Sequence, residues 1–404
     1  MNNGLIGNFM TEKKIIIIAD DFIHNSQKAA AVLIKELAIA LNKKSLLSSI
    51  VIAPDVNTNL IKRLKIDGID TILFPSGKLK NVNLLRRVYN EYMLSYRVKK
   101  CFPLLVDEDV LGLVYYSPSI FFGKAVRFLK NKFKCSSYLI LRDLFPQWLV
   151  DVGIIKKNRI VHLILKYFER TNLNNADRIG VMSSGNLKLF SNKSDFDKYE
   201  VLYNWQTPKD IIKVTSSLKK YGLEKLTYKF VFFYGGNIGS AQGIDTLLDL
   251  ATSLLTYKQL HFLYIGQGDA VNLIINKNLP NVTYIDSLSQ KDYFELVSNF
   301  DVGIFSLHRS HTAHNFPGKL YGYMSMSKPI LGIVNDGNDV KELINDNHAG
   351  LVCYHNEGID KLVLHCINLS NDLDLLKEQG LNSHNIILKF TPEKAANQIL
   401  NFFK

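Results

Sequence analysis

The sequence is poor in cysteine and contains no long apolar stretch. Its four cysteines, Cys101, Cys135, Cys353 and Cys366, lack the close pairing that binds zinc or forms a redox motif. This spacing predicts free thiols in a reducing compartment. No segment approaches the roughly 18–20 consecutive apolar residues that span a bilayer, and residues 1–10 lack the basic and apolar parts of a secretion signal. We therefore expect a cytoplasmic protein that is neither a disulfide scaffold nor a membrane-spanning helix protein.

Acidic residues are scarce in the first half of the chain. Residues 1–200 hold 31 Lys and Arg against 18 Asp and Glu, whereas the remaining residues hold 18 against 19. A positive field of this kind favours an anionic partner, either nucleic acid or an acidic bilayer leaflet. Residues 144–166 alternate bulky apolar side chains with Lys and Arg, which is typical of a bilayer interface. We therefore favour a membrane surface over nucleic acid, although a helix packed inside its own domain would show much of the same pattern.

Short apolar runs alternate with amphipathic stretches along the whole chain. A length of 404 residues suits two domains. Strand, helix and strand in regular alternation predict an α/β fold with two doubly wound, Rossmann-like domains. Polar residues and Pro208 interrupt the pattern at residues 201–208, where the charge balance also changes. We predict the domain boundary there, with a first domain over residues 10–204 and a second over residues 205–387.

Two glycine turns follow apolar strands in the second half. Gly235-Gly236-Asn237-Ile238-Gly239 comes directly after the run at residues 230–234, and Gly266-Gln267-Gly268 follows the run at residues 260–265. A strand, a glycine turn and a helix together bring backbone N–H groups towards a phosphate. The signal is weak by itself, since neither turn has the GxGxxG spacing of a dinucleotide fold.

The stretch His314-Asn315-Phe316-Pro317-Gly318-Lys319 has the composition of a helix start. Asn315 can cap a helix, Pro317 suits a first turn, and Gly318 permits close approach to the backbone. Lys319 would add a positive charge to the amide groups at the helix end, which favours a bound phosphate. The alternative is an ordinary buried helix whose Lys319 faces water.

Polar residues also follow strands in the first half. Ser26, Gln27 and Lys28 follow the first apolar run, Ser117 follows the run at residues 110–116, and the pair Arg142-Asp143 follows residues 137–141. Ligands bind at this edge of parallel sheets, so these residues are candidates for substrate contact, and Asp143 for proton handling. The alternatives are a plain capping loop and an ion pair between Arg142 and Asp143.

Together these segments resemble the GT-B glycosyltransferases, specifically family 4 of retaining enzymes and its bacterial branch of N-acetyl-L-fucosamine transferases. The resemblance covers nearly the whole chain. It rests on Asp20-Asp21 with Ser26 and Lys28, residues 141–148, residues 177–183, Asn204-Trp205, residues 236–243, residues 266–268, residues 301–303, and residues 317–319 with Tyr323-Met324. It implies a central cleft faced by the two domains and a final helix, residues 388–404, that crosses back to the first domain.

The resemblance also implies roles for individual residues. Three are implied to act in catalysis: Asp143, His314 and Lys319. Eleven are implied to bind the donor: Gly236, Asn237, Ile238, Gly239, Gln242, Gly266, Gly268, Pro317, Gly318, Leu320 and Glu342. Five are implied to bind the acceptor: Ser26, Gln27, Lys28, Ser117 and Arg142. The chain departs from the family pattern where His314 and Gly322 replace two glutamates, and where Asn237 and Gln242 replace an Arg and a Lys.

The activity implied by the resemblance is transfer of a sugar, such as N-acetylfucosamine, from a UDP-sugar to a lipid-linked acceptor on undecaprenyl diphosphate. This would contribute to O-antigen or capsular polysaccharide synthesis at the inner face of the bacterial inner membrane. Retention of configuration, without a metal ion or other cofactor, is implied as well. Two alternatives stay open: a UDP-sugar 2-epimerase of the same fold, and a catalytically silent subunit that docks on membrane enzymes.

Overall fold

A computed structural model describes residues 12–22, 29–78, 84–117, 119–142, 145–146, 156–157, 159–208, 213–310 and 316–404. The chain divides into two compact units. Unit 1 comprises residues 1–182, 190–203 and 392–404, and unit 2 comprises residues 183–189 and 204–391. Residues 183–189, which the prediction places in the first domain, thus group with unit 2, where the Gly185 N–H donates to Asp339 Oδ2 at 2.7 Å. The predicted domain limits themselves stay a prediction.

Unit 1 is built on an eight-stranded sheet in the order β3-β4-β2-β1-β5-β6-β7-β8. Its strands are β1 (Lys13–Ile18), β2 (Leu47–Asp55), β3 (Lys62–Ile66), β4 (Ile69–Pro75), β5 (Val110–Tyr116), β6 (Ser136–Leu141), β7 (Arg178–Val181) and β8 (Tyr199–Val201). All neighbours are parallel except β3 with β4. The isoleucines of β1 are fully buried, as expected for a strand covered on both faces.

Unit 2 is built on a six-stranded parallel sheet in the order β11-β10-β9-β12-β13-β14. Its strands are β9 (Phe230–Gly235), β10 (Leu260–Ile265), β11 (Val282–Ile285), β12 (Val302–Ser306), β13 (Ile330–Val334) and β14 (Gly350–Tyr354). Counted from β9, this is the 3-2-1-4-5-6 order of doubly wound nucleotide-binding sheets. Strand order reverses between β9 and β12, so the ligand crevice of such a sheet lies beyond the carboxyl ends of these two strands.

The α-helices cover the sheets. In chain order they are α1 (Ala29–Asn42), α2 (Leu84–Tyr92), α3 (Leu94–Lys100), α4 (Gly123–Phe133), α5 (Ile160–Asn174), α6 (Ser184–Lys188), α7 (Ser216–Lys220), α8 (Ile244–Ser253), α9 (Val271–Lys277), α10 (Gln290–Val297), α11 (Lys319–Ser325), α12 (Val340–Asp346), α13 (Asp360–Asn371), α14 (Leu373–Ile387) and α15 (Pro392–Phe403). Helix α15 packs on α1 in unit 1, where Lys43 pairs with Glu393 at 2.9 Å.

The predicted α/β class with two doubly wound, parallel-sheet domains is confirmed. The sequence pattern missed β3, β8 and β14. Strand β3 lies at an edge and exposes four of its five residues, so it carries no apolar run to detect. Strand β8 is three residues long, which is too short for a period to show.

Candidate active site

The two glycine turns of unit 2 pack against each other beyond the ends of β9 and β10. The Ile238 N–H donates to the Gln267 carbonyl at 2.9 Å, and the Ala270 N–H donates to the Ile238 carbonyl at 3.0 Å. A Cβ on Gly266 would lie 1.8 Å from the Gly236 carbonyl oxygen, and one on Gly268 would lie 2.2 Å from that of Ile238. Gly266 and Gly268 are therefore required for the close approach of the two turns.

Gly236 differs from these two glycines. Its φ is +108°, a conformation that side chains disfavour, and a Cβ built on it would have no atom within 4 Å. Gly236 and Asn237 are exposed, whereas Ile238 and Gly239 are buried beneath them. The first turn thus presents the backbone of residues 236–237 to solvent at the crevice of the sheet.

Residues 240–242, which continue the first turn, are held by hydrogen bonds to the second glycine turn and to the end of β12. Asp269 Oδ1 accepts the Ser240 N–H at 2.9 Å, and this bond lowers the pKa of the Asp269 carboxyl. Ser306, at the end of β12, donates its hydroxyl to the Gln242 carbonyl. The His308 N–H donates to the Ala241 carbonyl at 3.1 Å. The turn is therefore fixed at the point where the strand order reverses.

Helix α11 begins at Lys319, and Gly318 is its N-cap residue with no side-chain hydrogen bond. The sequence predicted a start at Pro317 with Asn315 as the cap. Pro317 instead precedes the cap, and the Leu320 N–H donates to its carbonyl at 3.1 Å. Gly318 is exposed with a helical φ of −58°, and a Cβ on it would meet nothing within 4 Å. Leu320 is fully buried, so it anchors the helix.

Tyr323 fixes α11 to the sheet. Its hydroxyl accepts the Gly235 N–H at 3.0 Å and donates to the Ile304 carbonyl at 3.2 Å. Its ring packs edge-on against Phe233, with centroids 5.0 Å apart. One side chain thus joins β9, β12 and α11 at the switch point, and it holds Lys319, one helical turn earlier, near the first glycine turn.

The Lys319 side chain points at Tyr234, the last-but-one residue of β9. Part of the lysine is exposed, but its Nζ is buried and has no hydrogen-bond partner among the described residues. The Nζ lies 3.3 Å from the centroid of the Tyr234 ring. The Tyr234 hydroxyl in turn donates to the Asn237 carbonyl at 2.6 Å, so lysine, aromatic ring and glycine turn form one connected group.

The amine of Lys319 is therefore in an unfavourable place for a charge. Removal of an ammonium ion from water costs several kcal/mol even after the protein relaxes. A desolvated cation–π contact returns only about 2 kcal/mol. Burial therefore lowers the pKa of Lys319 well below its ordinary value.

Glu342 lies on α12 and is exposed. Its Oε1 accepts the hydroxyl of Tyr354 at 2.6 Å. Burial and this carboxylate raise the pKa of the Tyr354 hydroxyl. Glu342 is thus held at the carboxyl end of β14, the edge strand of the sheet.

In unit 1, Ser117 and Arg142 follow neighbouring strands. Ser117 comes after β5, which with β1 forms the switch point of this sheet. Its Oγ is buried and has no hydrogen-bond partner within the described ranges. Arg142 is buried, and its guanidinium donates at 3.4 Å to the carbonyls of Gly180 and Tyr203. Arg142 thereby ties β6 to the chain around β7 and β8.

Five predicted site residues lie outside the described residues: Ser26, Gln27, Lys28, Asp143 and His314. Their predicted roles stay predictions. Sequence reasoning overlooked Tyr234 and Tyr323 as parts of the site. The available signals were two aromatic residues. Tyr234 directly precedes the glycine turn, and Tyr323 lies one helical turn after Lys319.

In the described part of the chain, no group of three or more His, Cys, Asp or Glu side chains is arranged to hold a metal ion. Within the same ranges, no helix combines the length and the apolar character needed to cross a bilayer.

Known proteins resemble this chain in sequence and in fold. Residues 216–385 match the family model Glycosyl transferases group 1. This stretch contains both glycine turns and α11.

Two curated relatives match the chain at low sequence identity. WbjE of Pseudomonas aeruginosa, described as a probable glycosyltransferase, is 25% identical over 227 residues, which is 55% of this chain and 56% of that protein. The chain thus matches little more than half of that relative's length. WcaI of Escherichia coli, described as a putative colanic acid biosynthesis glycosyl transferase, is 20% identical over 70% of this chain and 72% of that protein.

Solved structures match over nearly the whole chain. Sucrose-phosphate synthase from Thermosynechococcus elongatus has a TM-score of 0.71 at 15% identity, and the match covers 97% of this chain and 98% of that one. HepE from Anabaena, solved in complex with UDP-glucose, has a TM-score of 0.62 at 14% identity, with 96% and 98% covered. At these identities the likeness establishes the fold.

Proposed function

We propose that this protein is a glycosyltransferase that takes its sugar from a nucleotide-sugar donor held by unit 2. The observation that carries the proposal is the connected group at the switch point, in which the amine of Lys319 lies over the Tyr234 ring and the Tyr234 hydroxyl bonds to the glycine turn after β9. The family match over residues 216–385 covers this group. We propose UDP as the nucleotide, because HepE of the same fold was solved with UDP-glucose.

The chemistry follows from the leaving group. As the bond to the sugar breaks, the nucleotide diphosphate gains negative charge, and a cation with backbone N–H groups placed there lowers the barrier. Lys319 would supply the cation, and the exposed Asn237 would supply a backbone amide, whereas the Gly236 N–H already donates to the Ile265 carbonyl at 2.9 Å. We propose retention of configuration by attack on the face from which the diphosphate leaves, with Asp143 and His314 positioning the reactants. We further propose that the reaction needs no metal ion.

The acceptor is proposed as a lipid-linked glycan on undecaprenyl diphosphate, bound by unit 1. Ser117 supports this, since its buried hydroxyl lies at the switch point of that sheet. The likeness to WcaI, a putative colanic acid biosynthesis glycosyl transferase, supports a role in bacterial polysaccharide assembly. We propose an N-acetylated deoxyhexose such as N-acetylfucosamine as the sugar, within O-antigen or capsule synthesis.

A bilayer-facing surface on unit 1 would bring the enzyme to such an acceptor. Helices α3, α4 and α5, here called the basic helix layer, pack side by side and carry nine Lys and Arg against one acidic residue, Glu169. Helix α5 exposes Ile160, Leu163 and Tyr167 at 77%, 56% and 56%. Apolar side chains surrounded by cations suit the headgroup region of an anionic leaflet. We propose peripheral attachment to the inner membrane through this layer.

Replacement of Lys319 tests the assignment. Lys319→Ala should reduce sugar transfer by about a hundredfold, the usual effect of removing one contact to a transition-state charge. Lys291→Ala is the matched control, because Lys291 is an exposed lysine of the same unit. Thermal unfolding with a panel of UDP-, GDP- and dTDP-sugars would first identify the donor. Unchanged turnover in Lys319→Ala would contradict the phosphate role, and donor interconversion without acceptor would favour the 2-epimerase.

A further inference from the structure

The position of Tyr234 suits a residue that controls the placement and protonation of the Lys319 amine. Tyr234 is fully buried at the end of β9, and its ring centroid lies 3.3 Å from the Nζ of the lysine. Its hydroxyl reaches the carbonyl of Asn237, in the exposed part of the glycine turn. The ring therefore holds the amine, and the hydroxyl connects it to the backbone where a phosphate would approach.

Among the described residues, no acidic side chain forms an ion pair or hydrogen bond with the amine. Three tyrosines of this part of the chain lie around Tyr234: Tyr264 on β10, Tyr293 on α10 and Tyr323 on α11. Burial raises the pKa of each, so they are neutral near pH 7. Helix α14, which packs against α11, carries Asp374, Lys377, Glu378 and His384. The cause of the lowered pKa of Lys319 within the described ranges is burial, and none of these four side chains contributes to it.

We propose that Tyr234 is a positioning residue for Lys319, and that binding of a sugar-nucleotide diphosphate is accompanied by uptake of one proton at the lysine amine. The proposal rests on the function proposed above. An anion beside the Nζ favours the ammonium form of Lys319. Contact with the Tyr234 ring alone does not stabilise that form enough to offset the cost of burial. The proton comes from solvent, and no covalent bond other than N–H is formed. Donor affinity should therefore fall as pH rises through the range in which the bound amine is charged and the free one is not.

Calorimetric titration measures this uptake directly. UDP-glucose is the first probe, because its diphosphate diester has no group that titrates near neutral pH; if another sugar nucleotide of the panel binds more tightly, that one is used. Binding enthalpies measured at several pH values from 6 to 8.5, in buffers of different ionisation enthalpy, should show proton uptake that approaches one per donor between the pKa of the free amine and that of the bound amine. Lys319→Met, which lacks the amine, should bind more weakly and show uptake near zero.

Two Tyr234 variants test the positioning role. Tyr234→Phe keeps the ring and loses the bond to Asn237, so proton uptake should persist. Tyr234→Leu removes the ring, so the pH dependence of donor affinity should flatten. If Tyr234→Leu does not fold, the calorimetry on the wild type, Lys319→Met and Tyr234→Phe decides the proton claim.

The outcomes separate the two proposals. Donor binding without proton uptake in the wild type, or uptake that persists in Lys319→Met, overturns the inference and leaves the glycosyltransferase assignment intact. A wild-type pH profile in Tyr234→Leu overturns the positioning role. Failure of the whole panel of sugar nucleotides to bind contradicts the proposed function itself.

Discussion

At the level of single residues, Gly266 and Gly318 differ in the space that is open to an added methyl group. At Gly266 the methyl carbon would lie 1.8 Å from a backbone oxygen, whereas at Gly318 it would lie in open space. Only the first residue is required by the packing of the protein itself. At position 318 a requirement for glycine would come from a ligand that approaches the backbone closely.

Alanine substitutions separate these two causes. Gly266→Ala should destabilise unit 2 by about 3 kcal/mol or more, because the two turns must move apart. Gly318→Ala should change stability by less than about 1 kcal/mol, since its φ of −58° suits alanine. We expect Gly318→Ala to weaken donor binding about tenfold if the diphosphate passes close to this residue. Thermal unfolding and donor titration measure both effects, and unchanged donor affinity in Gly318→Ala would place the donor elsewhere.

At the scale of elements, α5 shows why a surface cannot be identified from periodicity alone. Its apolar residues divide between an inner face with Leu165 and Leu173 and an outer face with Ile160 and Leu163. The sequence pattern of residues 144–166 suggested both a packed helix and a bilayer interface. The structure describes α5 and shows that the outer apolar residues are exposed, while residues 147–155 lie outside the described ranges.

Vesicle binding tests the proposed attachment through the basic helix layer. Ile160→Ser and Leu163→Ser should each weaken sedimentation with phosphatidylglycerol vesicles about tenfold, the value of one buried aliphatic side chain. Leu273→Ser is the matched control, since Leu273 is a similarly exposed leucine on α9 of unit 2. High salt should also release the protein. Vesicle binding that neither salt nor these substitutions alter would contradict attachment through this layer.

Helix α11 illustrates the same point for the candidate active site. The composition of residues 314–319 predicted a helix start with Lys319 in its first turn, and the helix does begin at Lys319. The direction of the lysine side chain was not predictable, because it depends on Tyr234 and on the anchoring of Tyr323 to two strands. Local sequence specifies a helix end, and long-range packing decides what surrounds its side chains.

On the scale of the whole molecule, each unit buries a free thiol in its own core. Cys101 in unit 1 and Cys366 in unit 2 are fully buried. Burial raises the pKa of Cys101 to about 12, and it raises that of Cys366 as well. An unfolded thiol ionises near pH 8.5, so above that pH the unfolded chain binds fewer protons than the folded one. Stability contributed by the neutral thiols is therefore complete below about pH 8.5 and is lost as pH rises.

The expected result is an alkaline decline in the unfolding temperature of both units. Each thiol should reduce the free energy of unfolding of its unit by about 1.4 kcal/mol per pH unit above pH 9. Cys101→Ala should lessen the decline in the transition of unit 1, and Cys366→Ala in that of unit 2, while the raised pKa values of Cys135 and Cys353 leave part of the decline in each unit. Calorimetric scans from pH 7 to pH 10 in reductant measure both transitions, with the opposite variant as control. A decline that neither variant alters would show that other groups cause it.

The fold class and the positions of the glycine turns follow from the sequence alone. Alternating apolar runs require buried parallel strands, and glycine and proline mark the turns between them, so both features are local properties of the chain. Only the tertiary structure decided that Gly266 and Gly268 serve packing while Gly236 stays open, and that the Lys319 amine is buried on Tyr234. These features depend on atoms brought together from distant segments, where steric contact and loss of water set the conformation and the charge.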